Sequence, residues 1–183
     1  FFDFFQGSAA TSALQGTSLE FINVGNGYLV QPGTATFRPN SGLELSLTPI
    51  DDGQEEIVIP SIPLPIPTAS GVPSVATSLW VHSNGYITTS GLMQSVLPYA
   101  PLTNQAAMDA DETCFYGLYH DFNPAEVGSG LIIWEEDLFA FPNPKLYVTW
   151  DNVENQPDTT VNPSIIQFQF DLVTGDVAVV YEL

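Results

Sequence analysis

The chemistry this sequence could do begins with its oxygen ligands. Asp109, Asp111 and Glu112 fall within one stretch, and Asp121 with Asn123 lies at the end of the strand that follows. Carboxylates and amides are the donors a hard cation takes, so these five are the candidate metal ligands and Ca²⁺ the candidate cofactor. A Ca²⁺ site needs roughly six to eight oxygens converging in space, and the spacing matches no EF-hand loop; the alternative is a solvated acidic loop. Asp51, Asp52, Glu55 and Glu56 form a second cluster. It reads as turn residues with exposed charges, because Asp-Asp-Gly favours a turn.

Catalysis is harder to assemble. His120 beside Asp121 could be held as a general base, but no Gly-x-Ser-x-Gly elbow accompanies it, and Gly128-Ser129-Gly130 is too short and lies in a turn. Glycoside hydrolysis needs two carboxylates across a cleft; Glu135, Glu136, Asp137 and Asp121 could be nominated, and nothing selects a pair. With no activated nucleophile or acid–base constellation, the expectation is a protein that is not an enzyme. Trp80, Trp134 and Trp150, with seven Tyr, raise stacking on sugar rings, so glycans are the alternative ligand. Each Trp sits in an apolar strand, where packing is the ordinary use. Phe1, Phe2, Phe4 and Phe5 stand at helical spacing ahead of a small-residue linker, Gly7 to Ala13. They read as a short aromatic helix or hook that caps its own core or inserts into a neighbouring subunit, which makes them the candidate partner-binding residues.

The charge balance narrows the partners. Of 183 residues 21 are acidic and only Arg38 and Lys145 are cationic, for a net charge of -19. The acidic share is ordinary and the cations are missing, so the surface is a negative field that repels nucleic acid and anionic membrane and welcomes cations. Arg38 precedes Pro39 and Lys145 follows Pro144, which leaves a trypsin-like protease almost nowhere to cut and suits an extracellular protein. Cys114 is alone, so no internal disulfide is expected; it reads as a small buried hydrophobe, with an unpaired thiol the alternative. No stretch reaches the apolar length of a membrane span, and a Phe1 start without a basic region suggests a processed chain.

The elements that must position these residues are strands. From Ser164 to Leu183, Ile166, Phe168, Phe170 and Leu172 alternate with Ile165, Gln167, Gln169 and Asp171. After Thr174-Gly175, the alternation resumes with Val177, Val179 and Tyr181. Period two sends one set to a core and the other to water, and Gly175 supplies the turn, so this is a hairpin. Leu19–Val24 and Tyr28–Gln31 flank Gly25-Asn26-Gly27 as a second. Leu43–Leu47 and Glu56–Ile59 flank Asp51-Asp52-Gly53 as a third, and Leu79–His82 with Tyr86–Thr88 around Asn84-Gly85 is the plainest. Residues 60–73 are too Pro-rich for a central strand and read as an edge or polyproline connection. Residues 91–112 read as a long loop; Cys114–His120 and Leu131–Glu135 read as strands joined by DFNPAEVGSG, and Leu146–Trp150 as another.

The run WVHSNGYITTS, FYGLYHDFNPAEVGSGLIIWEED, LYVTWDNV and IIQFQFDLVTGDVAVVYEL resembles the motif order of nidogen-type extracellular modules and their relatives in secreted bacterial proteins, over about Leu79 to Leu183. The resemblance implies a β-rich extracellular module associated with adhesion or matrix assembly, with no catalytic residues to carry over. The chain departs from it in lacking disulfides and in its Phe- and Pro-rich first eighty residues.

Together these readings predict one all-β domain over 1–183, an antiparallel β-sandwich, jelly-roll-like or Ig-like, of about ten short strands. The expected role is that of a secreted, surface-displayed structural or adhesion subunit that contacts copies of itself or other surface proteins. The alternative is a carbohydrate- or Ca²⁺-dependent binding module.

Overall fold

Alternation of apolar and polar residues is realised as thirteen strands in the computed structural model, which describes residues 14–68, 71–72, 74–89, 91, 113–118, 120–154 and 164–182. In chain order they are β1 (Thr17–Asn23), β2 (Tyr28–Pro32), β3 (Leu45–Ser46), β4 (Gln54–Val58), β5 (Leu64–Ile66), β6 (Ser74–Ala76) and β7 (Ser78–His82). There follow β8 (Tyr86–Thr88), β9 (Cys114–Tyr116), β10 (Leu131–Asp137), β11 (Lys145–Val153), β12 (Ser164–Asp171) and β13 (Val177–Tyr181). A seven-stranded antiparallel sheet, β2-β1-β13-β12-β11-β10-β3, faces a four-stranded one, β4-β7-β8-β9, and β5 and β6 make a small third sheet. The chain is an all-β antiparallel sandwich. The aromatic segment Phe1–Phe5 and the reading of residues 92–112 lie outside the described residues.

The core is the apolar half of each alternation. Ile166, Phe168 and Phe170 of β12, Val177, Val179 and Tyr181 of β13, and Leu146, Val148 and Trp150 of β11 meet Ile57, Leu79, Val81, Ile87 and Phe115 of the smaller sheet. Phe115 stands edge-on to Phe170 with ring centroids 5.4 Å apart, an arrangement aromatic quadrupoles favour. Two polar side chains bolt the layers: Trp150 Nε1 donates to the carbonyl of Ser83 at 2.8 Å, and the Tyr181 hydroxyl donates to that of Gly117 at 2.8 Å. Burial pushes the Tyr181 phenol far up, so it stays a donor.

Five features differ from the sequence reading. The polar face of the closing hairpin does not meet water: Gln167 is 1 % exposed and Gln169 is also buried. Residues 33–41 cross that face as a strap. Gln167 accepts from Arg38 N at 2.9 Å and donates back to Arg38 O, Gln169 donates to Thr36 O, and the Arg38 guanidinium lies 4.5 Å above the Tyr147 ring. The strands around Asp51-Asp52-Gly53 do not pair with each other; β3 pairs with β10 and β4 with β7, so the turn carries the chain from one sheet to the other. Likewise β9 and β10 lie in different sheets, and the first ends at Tyr116. Period two shows which face is apolar but names no partner strand, so the hairpin expected around Asp51-Asp52-Gly53 and the strands expected on either side of DFNPAEVGSG carried no information about which sheet each joins. Part of the Pro-rich stretch is β5, an edge strand as expected but with Leu64 and Ile66 buried rather than along the surface, and Cys114 is half-buried rather than buried.

Candidate functional site

The loops gather at the two ends of the long strands, and the two ends differ. At the end where β10 begins and β11 finishes, the Asn84-Gly85 turn of β7 and β8 is covered rather than exposed. Asn84 is buried; its amide donates to Asp52 Oδ1 at 3.0 Å, and its side-chain oxygen accepts from Phe122 N at 3.1 Å. Only glycine fits at position 85, where φ is 81° and an added Cβ would stand 2.0 Å from the carbonyl of Leu118.

Asn84 thereby ties two distant turns together, and carboxylate oxygens of Asp51, Asp52 and Asp121 come within 4.8 Å of one another. Asp121 Oδ1 is buried and makes no hydrogen bond. Burial, then the charges of Asp52 and Asp51, hold the Asp121 carboxyl above its ordinary range, with His120 opposing. Asp51 is raised by burial, by Asp52 and by Glu126, with a hydrogen bond from the Asp52 backbone opposing. Such a trio supplies hard oxygen donors for a divalent cation, short of a full Ca²⁺ shell by several oxygens.

Each predicted site residue has a definite place. Asp121 joins Asp51 and Asp52, the pair read as solvated turn residues. Asn123 does not join them; its Oδ1 accepts from Ala125 N at 2.9 Å and its N–H donates to Glu154 O. Asp109, Asp111 and Glu112 lie outside the described residues. The His120 ring stands edge-on to Phe122, and burial lowers its basicity, with Asp121 opposing. Glu135 receives both Arg38 nitrogens, Glu136 receives the Ser61 hydroxyl, and Asp121 lies at the opposite end of β10 from Asp137. Trp150 is fully buried, and Trp80 and Trp134 are half-buried. The cavity beside the acid trio, lined by Leu47, Ile50, Gly53, Val81 and Ile132, measures about 10 Å³. That volume admits about one water molecule.

At the other end three hairpin turns stand side by side, those of β1–β2, β10–β11 and β12–β13. Their carboxylates face inward. Asp137 Oδ1 accepts from Phe139 N at 2.9 Å, Asp176 Oδ1 from Asn23 N at 2.7 Å, and Asp171 Oδ1 from the N–H groups of Val173 and Thr174. Burial pushes the Asp171 carboxyl up, but hydrogen bonds from Thr174, Asn143 and Val173 and the Lys145 charge outweigh it and leave it below the ordinary range. What faces outward is apolar: Val24, Leu138 and Val173 are exposed, and Phe139 and Phe141 are 96 % and 94 % exposed. Sequence reasoning passed over this tip. Its signal was Leu-Phe-Ala-Phe-Pro between two predicted strands, aromatic rings where a turn ordinarily carries polar residues. No protein-family model, curated protein or solved structure matches the chain.

Proposed function

We propose that the protein is a non-catalytic structural or adhesion module of a secreted, surface-displayed kind, acting through contact with copies of itself or other surface proteins. The observation that carries this reading is the tip of the β10–β11 hairpin, where two Phe rings stand almost wholly in water. Grouped exposed apolar side chains, here Phe139 and Phe141 with Leu138, mark contact surfaces, and aromatic anchors are what such surfaces concentrate. The near absence of cations, and the resemblance of the motif order to that of nidogen-type modules, are what support the extracellular part.

The test is light scattering of the full chain over a wide concentration range, beside the variant F139S/F141S. Concentration-dependent assembly that the variant loses, with its melting temperature unchanged, supports the reading. Identical particle sizes for both proteins at every concentration overturn the role of the tip.

A Ca²⁺-dependent form of the same module is favoured by one observation, the buried unpaired Oδ1 of Asp121 facing Asp51 and Asp52. Binding to the native state alone raises the melting temperature with ligand concentration. Ca²⁺ is therefore expected to raise the melting temperature relative to chelator, and D121N to abolish the difference. An unchanged melting temperature in millimolar Ca²⁺ removes this form.

A further inference from the structure

We propose that the free edge of β2 pairs with the same edge of a second copy, antiparallel and about a two-fold axis, so that the seven-stranded sheet continues across two molecules. This deepens the contact reading above and rests on it only for the kind of partner, a second copy. The surface is a different one from the Phe139–Phe141 tip.

The strand ladder fixes which backbone groups are available. β2 ends the seven-stranded sheet and pairs on one side only, with β1. In an antiparallel pair, opposed residues alternate between exchanging both backbone hydrogen bonds and exchanging none. Val24 N donates to Gly27 O at 3.0 Å and Gly33 N to Ser18 O at 2.8 Å, which places the bonded pairs at Ile22 with Leu29 and Glu20 with Gln31. Tyr28, Val30 and Pro32 therefore turn their backbone groups away from β1. Leu29, Val30, Gln31 and Pro32 are all exposed, so this row of N–H and C=O groups is open to a strand.

Among the described residues every other edge is guarded. β3, at the far edge of the same sheet, has two residues. β4 carries Glu55 and Glu56, and β9, β5 and β6 have three residues each, with Pro65 inside β5. Shortness, charge and proline are the devices that keep sheet edges from pairing. β2 is five residues, Tyr-Leu-Val-Gln-Pro, with no charge and its Pro at the last position. In a chain of net charge -19, it is the long edge that two copies can join without setting carboxylates of the two strands against each other.

Self-pairing also has a register that satisfies the row. With the two-fold axis at Leu29, Val30 of each copy faces Tyr28 of the other, and each such pair exchanges both bonds. Pro32 then falls opposite Asn26, beyond the end of the strand, where its missing N–H is not needed. Leu29, 56 % exposed, meets its symmetry mate at a non-bonded position, where side chains approach most closely. Five residues a side make a small interface, so the dimer is weak and concentration-dependent. The two chains repel and the seam carries no charge, so added salt should strengthen it.

Two measurements on the full chain test the pairing. At position 29 the Cα atoms of the two copies stand about 4.5 Å apart, within disulfide reach, whereas the two Val30 residues are diagonal and farther apart. In a C114S background, L29C should oxidise to a covalent dimer at least about tenfold faster than V30C. In sedimentation velocity under reducing conditions, F139S/F141S, with the tip silenced, should still form a dimer. Adding V30P should weaken that dimer at least about tenfold, a change of about 1.4 kcal/mol. Val30 N–H points away from β1, so proline there removes a seam donor and no bond within the fold. Circular dichroism checks folding, and L29K, which sets like charges opposite each other, takes the place of V30P if that variant does not fold. Equal oxidation at 29 and 30, or a dimer indifferent to V30P or L29K, overturns the inference. If F139S/F141S is monomeric throughout, the edge is left to a strand of another protein, the inference falls and the tip reading stands. If V30P breaks the dimer and wild type grows no further than that dimer, the edge contact stands and the role of the tip falls.

Discussion

The sandwich treats its carboxylates in opposite ways at its two ends. Asp137, Asp171 and Asp176 are spent capping hairpin turns, each accepting from backbone N–H groups. Asp51, Asp52 and Asp121 instead face each other, with Asp52 held by Asn84 and an oxygen of Asp121 left unpaired. The first arrangement fixes the turns from inside and frees apolar tips to point outward. The second places the acids on turns anchored by the Trp150–Ser83 and Phe122–Asn84 hydrogen bonds. Similar residues in similar turns thus give a greasy end and an acidic one.

Gly85→Ala against Gly25→Ala is the pair of variants that separates the ends most sharply. Both glycines have positive φ, at 81° and 84°. Gly85 lies against the Leu118 carbonyl, whereas a Cβ at Gly25 meets nothing within 4 Å. The losses expected in urea unfolding are roughly 3–4 kcal/mol for G85A and about 1 kcal/mol for G25A. Equal losses would mean that the acidic end is no more tightly built than the other.

The acidic end should also be the more sensitive to mild acid. His82, stacked on Tyr86 with ring centroids 3.9 Å apart, has its pKa lowered by burial to about 4. The unfolded chain takes up this proton near the ordinary value, about 6.5, and the folded chain only near 4. Stability is therefore full above that ordinary value and falls as pH drops through the window, by roughly 3 kcal/mol in all. H82F should flatten the profile there, and an unchanged slope would show that the ring protonates in place.

Smaller and opposite effects are expected from the acids themselves. D171N removes a carboxylate that binds turn N–H groups, and should cost roughly 2 kcal/mol at neutral pH. Its lowered folded pKa means this stability is present above the ordinary carboxylate range and lost as pH falls below it. D51N should stabilise by about 0.5 kcal/mol at neutral pH. Its raised folded pKa gives the reverse sign, so the gain disappears in acid. Chemical denaturation at neutral pH and in mild acid reads both. Losses of the same sign for D171N and D51N would erase the distinction between the two ends.

Much of the fold was legible. Strict alternation around Gly25-Asn26-Gly27, Asn84-Gly85 and Thr174-Gly175 located three hairpins, because period two and turn chemistry are local properties. Non-local pairing was not legible: nothing near Leu45 indicates β10, and nothing in Gln167 or Gln169 announces that residues 33–41 will cover them. The site was half legible for the same reason. Asp121 and the Asp51-Asp52 pair were each visible as acids, but their meeting depends on Asn84, a residue whose sequence signal speaks only of a turn. The Phe139–Phe141 tip was present in the letters, yet aromatic residues between strands read as core until the structure shows which way they point.

The most direct measurement is photo-cross-linking from position 139, with benzoylphenylalanine in place of Phe139 in the full chain, followed by mapping of the joined peptides. The expected result is an intermolecular link from position 139 to another copy, as a contact role for the exposed tip requires. No link between copies at concentrations where assembly is seen would contradict it.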